Sequence, residues 1–180
     1  MKILIFVIIV FSSALSIDKY SLIDEYKNGN YKNVCKMGKY FYTGNSNDEK
    51  LLTIIGDACL RVDYINPLGD IIKKLVSTPE FRENASYFAT ILLQKKLIYQ
   101  FMNDNIDLKN LRLPRTSHIL SIVFENLVKN NYKIINKSSK TIEIKLKDIR
   151  YIIWLSNDFP KKVYIDEFKA DKLLKRHWYL

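Results

Sequence analysis

Two cysteines stand in mirror order in this 180-residue chain: Cys35-Lys36-Met37-Gly38, then Gly56-Asp57-Ala58-Cys59. Paired thiols serve redox chemistry, metal binding, nucleophilic catalysis or cross-linking. A thioredoxin-like centre needs Cys-x-x-Cys, which is absent. Zinc needs two further ligands, and the only histidines, His118 and His177, have no ligand spacing to either cysteine. A cysteine nucleophile paired with His118 has no supporting local signature. A disulfide fits best. Asn47 lies 12 residues from each cysteine and nine from each glycine. In an antiparallel helical hairpin turning at Asn47, Gly38 and Gly56 would face each other, with Cys35 and Cys59 facing one turn further out. Opposed glycines let helix axes approach within or below the usual spacing of about 8–10 Å. That favours the Cα separation of about 4.4–6.8 Å that a disulfide requires. The bridge would close a loop of about 25 residues, worth roughly 3–4 kcal/mol in the chain-entropy model.

The other reactive residue types read as structural. His118 falls in the first turn of a helix, as a solvent-facing or capping histidine. His177 sits in Lys-Arg-His-Trp-Tyr-Leu at 175–180, a basic-aromatic tail that can stack on a sugar, peptide or anionic surface. The preferred reading docks it on a sheet through Trp178 and Leu180. Asp57, Asp63 and Asp70 lack the spacing of a calcium loop; Asp63 and Asn66 read as turn and cap residues. No metal site is expected. Phosphate-loop, dinucleotide, nucleophile-elbow and zinc-protease motifs are absent, and five glycines leave little for a phosphate cradle.

Hydrophobic spacing predicts the elements that position these residues. Helices are expected over 17–28, 31–42, 48–61, 66–76, 79–102 and 116–129. Asp48 and Thr78-Pro79 serve as helix starts. In the long fifth helix Phe81, Ala85, Phe88, Ala89, Leu92, Leu93, Lys96 and Tyr99 trace the expected inner side. After Asn130-Asn131 the period falls to two. Thr141–Lys147 alternates Ile142, Ile144 and Leu146 with Glu143, Lys145 and Lys147, as a half-exposed strand does. Strands are also expected over 132–136, 150–155 and 162–166. The 150–155 strand is apolar on both faces, so it should be central or covered. Residues 167–176 read as helical. The fold class is α+β: a helical-hairpin region over 17–130, then a small antiparallel β-meander with a C-terminal helix over 131–180.

Within the helical region, Leu22–Phe41 resembles a tetratricopeptide-type repeat. Tyr26-Lys27-Asn28-Gly29-Asn30-Tyr31 is similar to the turn between paired helices of that family. Gly38 and Ala58 fall where the family places small residues. The resemblance covers about 17–102 and implies a helical-hairpin solenoid that holds another protein on its concave face. The whole chain also resembles small exported proteins of AT-rich Gram-negative bacteria, which implies a compartment and no activity.

Compartment and charge narrow the function classes. Residues 1–16 carry Lys2, an apolar run from Ile3 to Phe11, and Ala14 and Ser16 as small residues before a cut at Ser16-Ile17: a signal peptide. Periplasmic export is expected, with an uncleaved N-terminal membrane anchor as the alternative. Net charge is +10, and residues 131–180 hold 12 Lys/Arg against 6 Asp/Glu. Lysine outnumbers arginine 23 to 6, unlike the arginine-rich grip on phosphate of many nucleic-acid binders, so no nucleic-acid partner is expected. The leading expectation is a non-catalytic, exported module binding an envelope protein through its helices, without cofactor. Tyr87, Gln94, Lys95 and Tyr99 on the long helix would be contact residues. The alternative is binding of anionic lipid, lipopolysaccharide or cell-wall polymer through Lys145, Lys147, Arg150, Lys161 and Lys162 on the basic sheet. An enzyme without a visible motif is a third class. Its mark would be a concave pocket holding a buried carboxylate or histidine.

Overall fold

The computed structural model describes residues 18–180. The leader expected over 1–16 and its cleavage point lie outside the described residues. Among the described residues, no helix is long and apolar enough to cross a membrane.

Seven helices precede five strands in this part of the chain. They are α1 (Lys19–Lys27), α2 (Tyr31–Met37), α3 (Lys39–Thr43), α4 (Glu49–Arg61), α5 (Leu68–Ile72), α6 (Pro79–Asp104) and α7 (Ile119–Val128). Local chemistry sets most of their starts. The Asp18, Asp48 and Thr78 side chains accept hydrogen bonds from the backbone N–H of Tyr20, Leu51 and Phe81. Each thereby satisfies a donor that the first helical turn leaves open. Pro79 opens α6, and Asn105 closes it in the left-handed conformation at φ 59°. The helix expected over 31–42 is interrupted at Gly38, which ends α2 and begins α3. The helix expected over 66–76 stops at Ile72. Beyond it, the Glu49 carboxylate accepts from the N–H groups of Val76 (2.6 Å) and Ser77 (3.0 Å), which draws this stretch out of helical pairing.

Cys35 and Cys59 form a disulfide with Cα atoms 4.9 Å apart, joining α2 to α4. The glycines beside them do not face each other. A Cβ on Gly38 would meet the Ile55 side chain at 2.5 Å, and one on Gly56 would meet the Phe88 ring at 2.6 Å. Gly38 thus seats α2 on α4, while Gly56 admits the aromatic ring of α6 from another side.

The strands are β1 (Lys133–Asn136), β2 (Thr141–Leu146), β3 (Ile149–Leu155), β4 (Val163–Lys169) and β5 (Lys172–Tyr179). They form one antiparallel sheet in sequential order. β3 is central, one of the two placements its apolar faces allowed. The protein is therefore α+β, but its last element is a strand and not the expected helix. β4 runs on to Lys169, Ala170 turns the chain at φ 51°, and Lys172 pairs back with Lys169. Hydrogen bonding along β4 overrides the helical spacing of 167–176.

One continuous cluster of buried residues runs from Leu22 to Tyr179. Its sheet side comprises Ile142, Ile144, Tyr151, Ile153, Val163, Ile165 and Tyr179, and α6 packs against β3 and β4. The inner stripe of α6 is Phe88, Ile91, Lys95, Ile98 and Met102, at alternating steps of three and four. This is rotated from the expected inner side, for Ala89, Leu93 and Lys96 are exposed.

Candidate functional site

α4 ends at Arg61, and two residues on Asp63 adopts a left-handed backbone at φ 62°. Asn and Asp tolerate this region better than most residues. The turn carries the Asp63 side chain inward to 5% exposure. There it meets β5, whose alternation sends Lys175, His177 and Tyr179 to the same face. The Tyr179 hydroxyl donates to Asp63 Oδ1 at 2.9 Å, and His177 Nδ1 lies 2.8 Å from the same oxygen. Lys175 Nζ stands 3.7 Å from Oδ2. A carboxylate only accepts, so the imidazole donates from Nδ1 and turns Nε2 away from Asp63.

A hollow of about 450 Å³ opens beside this cluster. Asp57 and Arg61 of α4, Tyr87 of α6, Ser117 and His118 at the start of α7, Tyr151 of β3, Glu167 of β4, and Lys175 and His177 of β5 border it. At the α4 rim the Tyr26 hydroxyl donates to Asp57 at 2.5 Å, Arg61 Nε donates to Asp57 at 2.6 Å, and the Arg61 guanidinium lies over the Tyr31 ring. His118 caps α7: its Nδ1 accepts from the Leu120 N–H at 3.3 Å. The ring proton therefore sits on Nε2. Burial lowers the His118 pKa to about 4, with the charges of His177 and Lys175 reinforcing the shift and Asp63 opposing it. Protonating Nδ1 would also break the cap. Burial first, and Glu167 second, raise the Tyr151 pKa. Burial, then Asp63, hold the Tyr179 hydroxyl well above its ordinary value.

Among the described residues, the only buried side-chain polar atom without a partner is Thr53 Oγ1. Among the described residues, the Nε2 atoms of His118 and His177 and the Tyr151 hydroxyl have no hydrogen-bond partner, and all three residues border the hollow. The hollow thus offers His118 Nε2–H and the Tyr151 hydroxyl as donors and the Glu167 carboxylate as an acceptor, with His177 Nε2 beside them. It is a concave pocket holding both a buried carboxylate and a buried histidine. No group of three His, Cys, Asp or Glu suited to a metal ion occurs among the described residues.

The sequence-derived contact residues separate. Tyr87 lies at the rim of this hollow. Gln94 and Lys95 are 1% and 3% exposed and cannot meet a partner at the surface. Gln94 binds the Ser121 hydroxyl and the Pro114 carbonyl. Lys95 binds Asn66 and the Leu180 backbone oxygen, and burial lowers its pKa to about 8. Tyr99 is half-buried against the core. The five basic residues of the sheet form no single patch. Lys145, Lys147 and Arg150 gather at the β2–β3 turn, where Glu143 pairs with Lys145 and Arg150. Lys161 and Lys162 stand at the other end of β3, beside the β3–β4 loop. Spacing alone concealed Asp63, His118 and His177 as neighbours, because they lie on three elements far apart in sequence. The alternation of Lys175, His177 and Tyr179 is the signal that could align the three β5 residues around Asp63.

The chain matches no family model, no curated protein and no solved structure.

Proposed function

We propose that the protein is an exported binding module whose recognition site is the hollow between the helices and the sheet, not a groove along α6. One observation carries the reading: four polar residues on four elements, His118, Tyr151, Glu167 and His177, converge on a hollow of about 450 Å³. A concave site with a few convergent polar groups is the usual form of a recognition pocket. Its charges nearly balance, with Asp57, Asp63 and Glu167 against Arg61 and Lys175. The fitting ligand is a neutral or zwitterionic polar group, here a neutral polar side chain of an envelope protein. Tyr87, at the rim, would contact the partner's surface. A photo-crosslinking amino acid at exposed Ser117 should give one defined envelope adduct in producing cells. The same group at Lys27 should not, and Glu167→Lys should abolish the Ser117 adduct. Identical adducts at both positions, or none at Ser117, would reject the reading.

The Asp63–His177 hydrogen bond favours a second reading, in which His177 Nε2 acts as general base on a bound molecule. His177→Gln would then abolish turnover of that molecule while the Ser117 adduct persists. Loss of both together would leave binding as the site's role.

A further inference from the structure

A second hollow, of about 540 Å³, lies between α2–α3, the turn after α4 and the end of β5, and shares no bordering residue with the hollow at His177. Its floor is apolar: Tyr42, Val62, Tyr64 and Trp178, with Cys35 of the disulfide beneath. Tyr64 is 47% exposed there. Lys32, Lys36 and Lys39 form the wall. Their spacing of four and three places them on one side of α2–α3. All three are exposed, and among the described residues none forms an ion pair. Asp63, between Val62 and Tyr64, directs its oxygens to His177, Tyr179 and Lys175. Past Trp178 the floor continues into a smaller hollow bordered by Lys162, whose Nζ stands 5.3 Å from the Trp178 ring centre.

Three unneutralised ammonium groups over an apolar floor select by charge and apolar area. Lysine supplies a point charge without the planar fork that reads a particular anion, and the floor offers few hydrogen-bonding groups. We propose that this cleft binds a single-chain anionic amphiphile. The acyl chain lies on the Tyr42–Val62–Tyr64–Trp178 floor, and its carboxylate, sulfate or phosphate head rests against Lys32, Lys36 and Lys39. The volume falls in the range of about 300–1,000 Å³ typical of small-molecule sites.

Laurate below its micelle concentration is the probe, followed by calorimetry and by tryptophan fluorescence in a Trp154→Phe protein. The chain has two tryptophans, so that variant reports from Trp178 alone. One laurate per chain should bind and shift the Trp178 emission to the blue. The triple variant Lys32→Glu, Lys36→Glu, Lys39→Glu should lose at least tenfold in affinity, as should the neutral ligand dodecyl maltoside relative to laurate. The milder triple glutamine variant should weaken binding in the same direction with its fold unperturbed. Absence of saturable laurate binding would overturn the proposal. So would equal laurate affinity in a charge-reversed protein whose circular dichroism and disulfide are intact, or equal affinity for dodecyl maltoside. The Ser117 adduct should be indifferent to all three lysine changes, which separates failure here from failure at the His177 pocket.

Discussion

Two fastenings meet at the C-terminal part of α4 and hold it in different ways. The Cys35–Cys59 disulfide ties α4 to α2 across a sequence separation of 24. The Asp63 carboxylate ties the end of α4 to β5 across separations of 114 and 116. The first is covalent and acts chiefly by restricting the unfolded chain. The second exists only when burial, the left-handed turn at Asp63 and the β5 register are all in place. One secures helix to helix. The other secures the helical layer to the sheet, and its histidine also faces the candidate ligand hollow. A buried polar network is costly when partly satisfied, so the Asp63 fastening should be the more fragile of the two.

Asp63→Ala tests that ranking most directly. It leaves the His177 and Tyr179 donors buried without their acceptor and should cost about 3–5 kcal/mol in urea denaturation, the scale for breaking a buried charged pair. Asp63→Asn keeps tolerance of the left-handed backbone and should cost roughly half as much; equal losses would assign the effect to the charge and not to the turn. Next, Cys35→Ala with Cys59→Ala should cost about 3 kcal/mol, matched by chemical reduction of the unaltered protein. Combined with Asp63→Asn, the losses should add to within about 0.5 kcal/mol if the fastenings are independent. A larger coupling would merge them into one unit.

A smaller effect sharpens the electrostatics beside the Asp63 fastening. His118 has a pKa lowered from 6.5 to about 4, so between these values the unfolded chain binds more protons. The native state should hold its full stability above pH 6.5 and lose about 3 kcal/mol as pH falls to 4. His118→Asn, which can still cap α7, should remove that portion of the pH dependence. An unchanged slope would place the titration elsewhere. The smallest change is expected at the distant β2–β3 turn. Lys145→Ala should alter stability by less than about 0.5 kcal/mol, because its pair with Glu143 is exposed on the lysine side and Arg150 also faces Glu143.

Legibility follows the range of the interaction. The helix starts at Asp48 and Thr78-Pro79, and the alternation over Thr141–Leu146, are local arrangements and stand in the structure as read. The disulfide is also legible in the spacing, although Gly38 and Gly56 do not oppose each other: each glycine admits a different neighbour, Ile55 and Phe88. Gln94 and Lys95 were misplaced because polar residues on a long helix usually face water. Here Ser121 and Asn66 supply partners that local spacing does not reveal. The last strand was hidden by helical spacing across 167–176, which the ladder to β4 overrides. Asp63 read as a turn residue, and its backbone bears that out at φ 62°. Its role as an acceptor for β5 was out of view.

The amino-acid pattern by itself pointed to the α+β class and to the pairing of Cys35 with Cys59. These depend on periodicity and on residues near one another along the chain. Only the tertiary structure decided that Asp63, His118 and His177 share one hollow, that Lys95 lies inside, and that Lys32, Lys36 and Lys39 overlook an apolar floor. Burial, hydrogen-bond partnership and pKa depend on what other elements bring to a side chain, and chain spacing carries little record of that.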